Sequence, residues 1–469
     1  MEEISMRIGA RGKFIDFWSR AVTGPICFES DFDKRVYWPK LKKITEKWGI
    51  KYDPDHMVPC DDEMLDRLWQ AAIDLVAEVG VLCTDTRRII EFSRKEILDA
   101  AANTADRYTV GVGKDSFTAV HRGFEDYDHV KNPVSVLGRI LGPVSQDIYH
   151  QIAMSYAQVP QIDMCHFQGN LTEIYGMPIT PDSPWEMFSE LWSVAQVKDV
   201  CRQVCRPGLA DGGIRAIAMS AMQAAFDPGW GANKGDFRCC LTLPHQKVEY
   251  KHLSRALQWH TYGINFYSVM TSYPGGLSGG PATSAVTGTA EWIIQKLLFD
   301  VPLNGSWSVD AMYFSNTSKY SLWCSNHQNA AVTKNTVCEP LTGGGWQMTH
   351  GIGHENFFWE SAASAISAVV LGNGVSGGTG AQSGLGLQFS AEVGEAVAKA
   401  RLTRAHANDL VKRIMAKYQP TIDSHTAHKM GGDFRECYNL VTVQPQKWYM
   451  DMYDKVKKEL TQMGLPMEY

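Results

Sequence analysis

Apolar residues recur at helical spacing over residues 65 to 79, where Leu65, Leu68, Ala72, Leu75 and Val79 share one face. Asp61 or Asp62 is placed to cap this helix and Gly80 to stop it. Beyond it the pattern alternates. The β-like runs HFQGNLTEI (166–174), RCCLTL (238–243), GINFYSVMTSY (263–273) and SWSVDAMYF (306–314) are interleaved with helical stretches at 183–200, 214–226, 284–299 and 359–371. An Ala-rich helical stretch follows at 391–417. Such alternation predicts a parallel α/β architecture. No GxGxxG opens a helix after an early strand and no GxxxxGK[ST] occurs, so the pattern favours a TIM (β/α)8 barrel over a nucleotide-binding fold. Residues 1–75 read as an N-terminal, partly helical extension packed on the barrel. Residues 76–469 read as the barrel domain with a C-terminal helix. In that fold the loops after strands carry the chemistry, which directs attention to 205–213, 271–283 and 342–355.

Composition narrows the function. Hydrophobic residues make up 44% and charged residues 20% of the 469, a globular balance. A net charge of -6 without any Lys/Arg-rich run gives no reason to expect nucleic acid. No apolar run reaches the ~20 residues of a membrane span, and the first residues lack the apolar core of a secretory signal. A cytoplasmic protein is expected. Eleven cysteines without a CxxC pair read as free buried thiols in a reducing compartment.

Three stretches carry candidate chemistry. In CRPGLADGGIRA (205–216) a stiff turn leads to a loop centred on Gly212, and Arg215 opens the helix beyond it. A cation there opposes the helix dipole, and its planar fork suits a carboxylate. In MTHGIGHENFF (348–358), His350, His354 and Glu355 suit proton transfer, metal binding or substrate contact. Their spacing is not HExxH and the loop is glycine-rich, which favours substrate or backbone contacts over a metal. Aromatic residues gather nearby: Phe266 and Tyr273, Trp307 and Tyr313, and Trp346. A cage of such rings attracts an alkylammonium at about 0.5–2 kcal/mol per contact. CTDT (83–86) is read as a cap, Thr84 or Asp85, for the next helix.

Most of the chain resembles the monomethylamine methyltransferases of methylotrophic methanogens. The likeness is carried by GVLCTDTRRIIEFSRKEILDA (80–100), RPG with its short loop (206–212), SYPGG (272–276), AEVGEAVAKA (391–400) and GDFRECYNLVTVQPQKWYMDMYDKVKKELTQMGL (432–465). The resemblance implies a TIM barrel, a homo-oligomer of six subunits, and methyl transfer from a methylamine to the Co(I) corrinoid of a separate small protein. The family's special residue is pyrrolysine, an electrophile that captures the amine. Counted from RPG, that position is Gly212 here, and a family glutamate corresponds to Arg215. A second glutamate falls on Asn265, a glutamine on Gly345 and a tyrosine on Gln347.

The departures are directional: two acids are gone and one has become Arg. A quaternary ammonium leaves as a neutral tertiary amine and needs no covalent activation, so the changes point to a quaternary or zwitterionic methyl donor. On this reading Gly212 leaves room for substrate, Arg215 anchors a carboxylate, and Asn265 and Gln347 position polar atoms. His350 shuttles a proton or orients substrate. Tyr273, Trp307 and Trp346 form the cage, and Gly345, His354 and Glu355 line the pocket. The chain itself holds no metal and no tightly bound cofactor; the corrinoid belongs to the partner. The alternatives are residual activity on monomethylamine, a metal-dependent hydrolase or lyase built on His350, His354 and Glu355, and a barrel that only binds an amine or the corrinoid protein.

Overall fold

The computed structural model describes residues 13–128, 134–140, 143–167, 171–213, 216, 218–301, 303–337, 348–377, 383–427 and 432–468. Seven short barrel strands can be followed: β1 (Val136–Arg139), β2 (Met164–His166), β3 (Ala210–Gly212), β4 (Phe237–Leu241), β5 (Asn265–Ser272), β6 (Leu303–Ser308) and β7 (Val375–Ser376). They pair in parallel in the orders β7-β1-β2-β3 and β4-β5-β6. The two sheets meet where Arg238 Nη1 donates to Asp211 O at 2.9 Å and Asp211 N donates to Asp236 Oδ1 at 2.9 Å. Between β6 and β7 the chain passes through 338–347, which lie outside the described residues. Helices follow the strands in turn: α4 (Gln146–Ala157), α5 (Pro184–Gln203), α6 (Met219–Ala224), α7 (Tyr250–Tyr262), α8 (Pro281–Phe299), α9 (Lys319–Asn335), α10 (Glu355–Val370) and α11 (Gly384–Lys399). This is the predicted (β/α)8 barrel.

Before the barrel come α1 (Lys13–Thr23), α2 (Trp38–Lys47) and α3 (Asp62–Val79). The start and stop of α3 are written locally. The Asp61 carboxylate accepts from Glu63 N and Met64 N, both at 3.0 Å, and Gly80 takes φ 69° at the other end. Leu65, Leu68, Ala72, Leu75 and Val79 are buried, and α3 packs on α8 and α9. Because α3 runs unbroken through residues 75 and 76, extension and barrel share one helix. A hairpin (Arg107–Val110 with Phe117–Val120) closes the barrel's N-terminal end. Its Gly111 N donates to Gly235 O and Val112 N to Gly208 O, just ahead of β4 and β3, and Tyr108, Val110 and Ala119 join the residues that fill the barrel.

Three local readings change. The Ala-rich stretch 391–417 is two helices, α11 and α12 (Arg404–Asp423), separated where Arg401 takes φ 49° and the Thr403 side chain caps the second. Within 214–226 the helix is confined to Met219–Ala224, with 214, 215 and 217 outside the described residues. The CTDT segment is a turn joining Val81–Cys83 to Arg88–Ile90, and the next helix starts at Arg94 with Ser93 as its cap. Asp85 does cap a helix, but a distant one: its Oδ2 accepts from Tyr250 N, the first residue of α7, at 2.7 Å.

Candidate active site

Leu137, Met164 and Ala210 belong to the cluster that fills the barrel, so strand alternation turns Arg139, His166 and Gly212 inward too. Register sets them side by side, Arg139 opposite His166 and His166 opposite Gly212. They form one row at the C-terminal ends of β1, β2 and β3, the end at which barrel enzymes carry their chemistry. Tyr267 of β5 and Trp307 of β6 reach into the same space from the other side. The Tyr267 hydroxyl is hydrogen-bonded to His166 Nε2, which ties β2 to β5 across the barrel. The Arg139 guanidinium lies over the Trp307 ring, 5.1 Å from its centre, a link between β1 and β6. The Phe237 ring of β4 stands 5.9 Å from that of Tyr267. Arg139, His166, Phe237, Tyr267 and Trp307 are all 4% exposed or less, so together they make a closed floor. It offers a fixed cation, an imidazole–phenol pair and aromatic faces. Among the described residues no Asp or Glu occupies an inward position of a barrel strand.

Gly212 is not an empty place. A methyl group there would sit 2.3 Å from two ring carbons of Phe237, and the Phe237 ring is fully buried. The volume that any side chain at 212 would claim is filled from β4, which corrects the expectation of room for substrate. Gly213 completes the fit. At φ 88° it is in the left-handed region, and a Cβ would fall 2.6 Å from the His166 ring.

The other expected residues separate. Asn265 begins β5 at the opposite, N-terminal end, where its Nδ2 donates to Thr109 O of the closing hairpin at 2.5 Å. It therefore positions the hairpin, not the substrate. His350 is fully buried among helices: Nδ1 pairs with Glu360 Oε1 at 2.5 Å, and Nε2 meets Thr421 Oγ1 at 3.0 Å and Asn356 Nδ2 at 3.3 Å. With both ring nitrogens engaged by protein, it ties α10 to α12. His354 caps α10, with Nδ1 accepting from Asn356 N, and the Glu355 carboxylate pairs with Lys455 of α13 (Lys447–Gln462) at 2.6 Å. The His350 and His354 rings lie 4.7 Å apart while Glu355 turns away to Lys455, and among the described residues no group of three His, Cys, Asp or Glu side chains is placed to hold a metal ion. Trp307 does reach the floor, yet the cation on its face is Arg139. Arg215, Gly345, Trp346 and Gln347 lie outside the described residues.

Tyr273, just beyond β5, packs half-buried against the barrel-filling cluster, and a polar group backs it. Ser278 Oγ accepts from Tyr273 N at 3.2 Å and meets His245 Nε2 at 3.0 Å, while His245 N donates to Glu291 Oε1 at 2.8 Å. Tyr37, from the N-terminal extension, packs its ring 5.8 Å from that of His245. Burial pushes the Glu291 carboxyl up to about 8, against the pull of the His245 amide, so at neutral pH it is mostly protonated. Burial, with Lys247 nearby, lowers His245 to about 4 and keeps it neutral. Burial also raises the Tyr273 phenol.

Sequence reading missed Arg139, His166, Phe237 and Tyr267. Their only signal was a polar or aromatic residue at an inward position of a strand, and that needs the register to be known.

Fold and floor define a barrel enzyme whose inward polar groups gather at the C-terminal ends of the strands. The profile of the family described as monomethylamine methyltransferase MtmB matches residues 13–465; the chain belongs to that family and is a methyltransferase. It is 26% identical over 462 residues to monomethylamine methyltransferase MtmB2 of Methanosarcina acetivorans, covering 96% of this chain and 97% of that one. The MtmB1 enzyme of Methanosarcina barkeri is 24% identical over 458 residues with the same coverage. The crystal structure of Methanosarcina barkeri MtmB matches with a TM-score of 0.88 at 23% identity, over 97% of this chain and 98% of that one. The hydroxylamine complex of MtmB matches equally well.

Proposed function

We propose that this methyltransferase moves a methyl group from a small methylated amine, quaternary or zwitterionic, to the Co(I) corrinoid of a separate small protein. The observation that carries the reading is the pair Gly212 and Phe237. The family's electrophile maps to position 212; here there is no side chain, and a buried ring fills its place. No covalent adduct with the amine has a group to form on. The donor must therefore carry its own leaving group.

A quaternary ammonium does so. The cobalt electron pair attacks the methyl carbon in line with the C–N bond, the C–N pair stays on nitrogen, and a neutral tertiary amine departs. Cobalt becomes methyl-Co(III), and no proton is moved. What remains for the protein is to hold the donor in line, keep water out and present low-dielectric aromatic surface to the onium methyls. Tyr273, half-buried just beyond β5, supplies such surface. The ten described cysteines are all unpaired, which supports a reducing cytoplasm as the place of reaction.

The test is a panel of methylated amines with Co(I) corrinoid protein, followed by cobalt absorbance. Quaternary or zwitterionic donors are expected to give methyl-Co(III), and monomethylamine to give little. Transfer from monomethylamine alone, or from no quaternary or tertiary amine, overturns the reading.

A further inference from the structure

The Tyr273 ring stands at the head of a loop that cannot hold it alone. Beyond β5 the chain reads YPGGLSGG (273–280), with four glycines and a proline in eight residues. Such a loop has many backbone states open to it. Ser278 is its one other polar side chain, and it is fully buried. Ser278 Oγ accepts from Tyr273 N at 3.2 Å and meets His245 Nε2, from the loop after β4, at 3.0 Å. The His245 ring neighbours two phenol rings, Tyr273 at 6.0 Å and Tyr37 at 5.8 Å.

His245 is held there under strain. It and Gln246 take φ 62° and 55°, two successive non-glycine residues in the left-handed region. Strain of this kind persists only where the surroundings over-determine it. Here the surroundings come from the N-terminal extension. Lys247 Nζ pairs with Glu29 Oε1 and Asp33 Oδ1, both at 2.8 Å. The Tyr37 hydroxyl meets Thr287 Oγ1 of α8 at 2.7 Å. Gly279, at φ 73°, comes so near Trp38 that a Cβ would fall 2.5 Å from the indole. Phe32–Tyr37 is wound as a π-helix, with Trp38 N donating to Asp33 O five residues back. Such turns occur frequently at functional sites. The extension thus reaches the C-terminal end of the barrel and touches the loops after β4 and β5 together.

We infer that His245 and Ser278 are positioning residues for methyl transfer: through them the segment Glu29–Trp38 of the extension fixes the Tyr273 ring at the mouth, where the methyl donor is held. This rests on the proposed role of Tyr273 as the surface that faces the donor. It makes the extension part of the reacting end of the barrel.

The experiment reads the ring and the reaction separately. In full-length protein labelled with 3-fluorotyrosine, the Tyr273 fluorine resonance is identified by its loss in Tyr273→Phe. Ser278→Ala is expected to shift or broaden that resonance. So is His245→Asn, which suits a left-handed backbone but is too short to reach Ser278, and which serves if Ser278→Ala does not fold. His245→Gln, with an amide at the reach of the imidazole Nε2, is expected to restore most of the wild-type signal. Methyl transfer from tetramethylammonium to the Co(I) corrinoid protein gives the second readout. Ser278→Ala and His245→Asn are each expected to raise KM roughly tenfold, the worth of one onium–ring contact, with kcat changed far less. Combined with Tyr273→Ala, neither is expected to lower kcat/KM further, since each acts through the same ring. A Tyr273 resonance unmoved in both variants, or losses that add to that of Tyr273→Ala, overturns the inference. A shifted resonance with no methyl-Co(III) from tetramethylammonium leaves the positioning of Tyr273 standing and removes the donor reading. Transfer from tetramethylammonium with an unmoved resonance does the reverse.

Discussion

His166 and His350 are both buried and both hydrogen-bonded to other side chains, yet they belong to different parts of the molecule. His350 stands after a glycine-rich loop, and a carboxylate from α10, a hydroxyl from α12 and an amide hold its ring on every polar side. His166 ends a barrel strand, and its Tyr267 partner comes from across the barrel. The first arrangement spends an imidazole on joining helices. The second spends it on closing a floor at the C-terminal ends of the barrel strands. Residue type and local glycines drew attention to His350 and not to His166, because which ring faces the barrel interior depends on which way its element turns, not on its neighbours in sequence.

Breaking the helix-joining cluster is expected to have the largest effect. Glu360 accepts from His350 N, from Thr349 N and from the Thr317 hydroxyl as well as from the imidazole. Glu360→Ala strands several buried donors at once and is expected to cost about 3–5 kcal/mol in denaturant unfolding. Methyl transfer per folded molecule should stay near wild type; a large loss at unchanged stability would place this cluster in the chemistry after all. His166→Gln should behave in the opposite sense. The cross-barrel tie is lost and the floor shifts, so kcat/KM is expected to fall about a hundredfold, with the unfolding midpoint little changed. If both histidine clusters respond alike, the distinction between them fails.

The rim responds to pH. Glu291 is held at about 8 against an ordinary carboxylate value near 4.5, so the folded state binds its proton more tightly than the unfolded state does. Its stabilising contribution is complete below about pH 4.5 and is lost as pH rises towards 8. Between pH 5.5 and 7 this amounts to roughly 2 kcal/mol. Glu291→Gln should flatten that part of the stability profile, and an unchanged slope would rule out a buried neutral acid behind Tyr273.

Gly212→Ala drives a methyl group into the Phe237 ring and is expected to cost about 1–3 kcal/mol. A smaller residue opposite should recover part of it, so a double-mutant cycle with Phe237→Leu should show coupling; strict additivity would mean the two residues do not share one volume. The smallest effect is expected at Asp85→Ala, which removes a cap from α7 and should cost about 1 kcal/mol.

Much of the fold was legible. The 3.6-residue period and the caps set α3 to within a residue, and the strand–helix alternation announced the barrel, because both signals are local and repeat. The site was less so. Tyr273 and Trp307 were found because aromatics cluster visibly beside loops. Asn265 was misplaced because counting back from a glycine turn ignores the eight residues of β5, about 26 Å of extended chain, that separate the two ends of the barrel.

The amino-acid sequence by itself determined the alternating barrel, the helix boundaries that carry their own caps, the family likeness and the bare glycine at 212. These depend on interactions within a few residues or on patterns that repeat along the chain. Only the tertiary structure decided that Phe237 fills the space beside that glycine, that His166 meets Tyr267, and that Arg139 lies on Trp307. Each of these pairs joins residues 25 to 168 positions apart on different strands. Their meeting depends on register and on which face of a strand turns inward, and a shift of one residue would reverse every one of them.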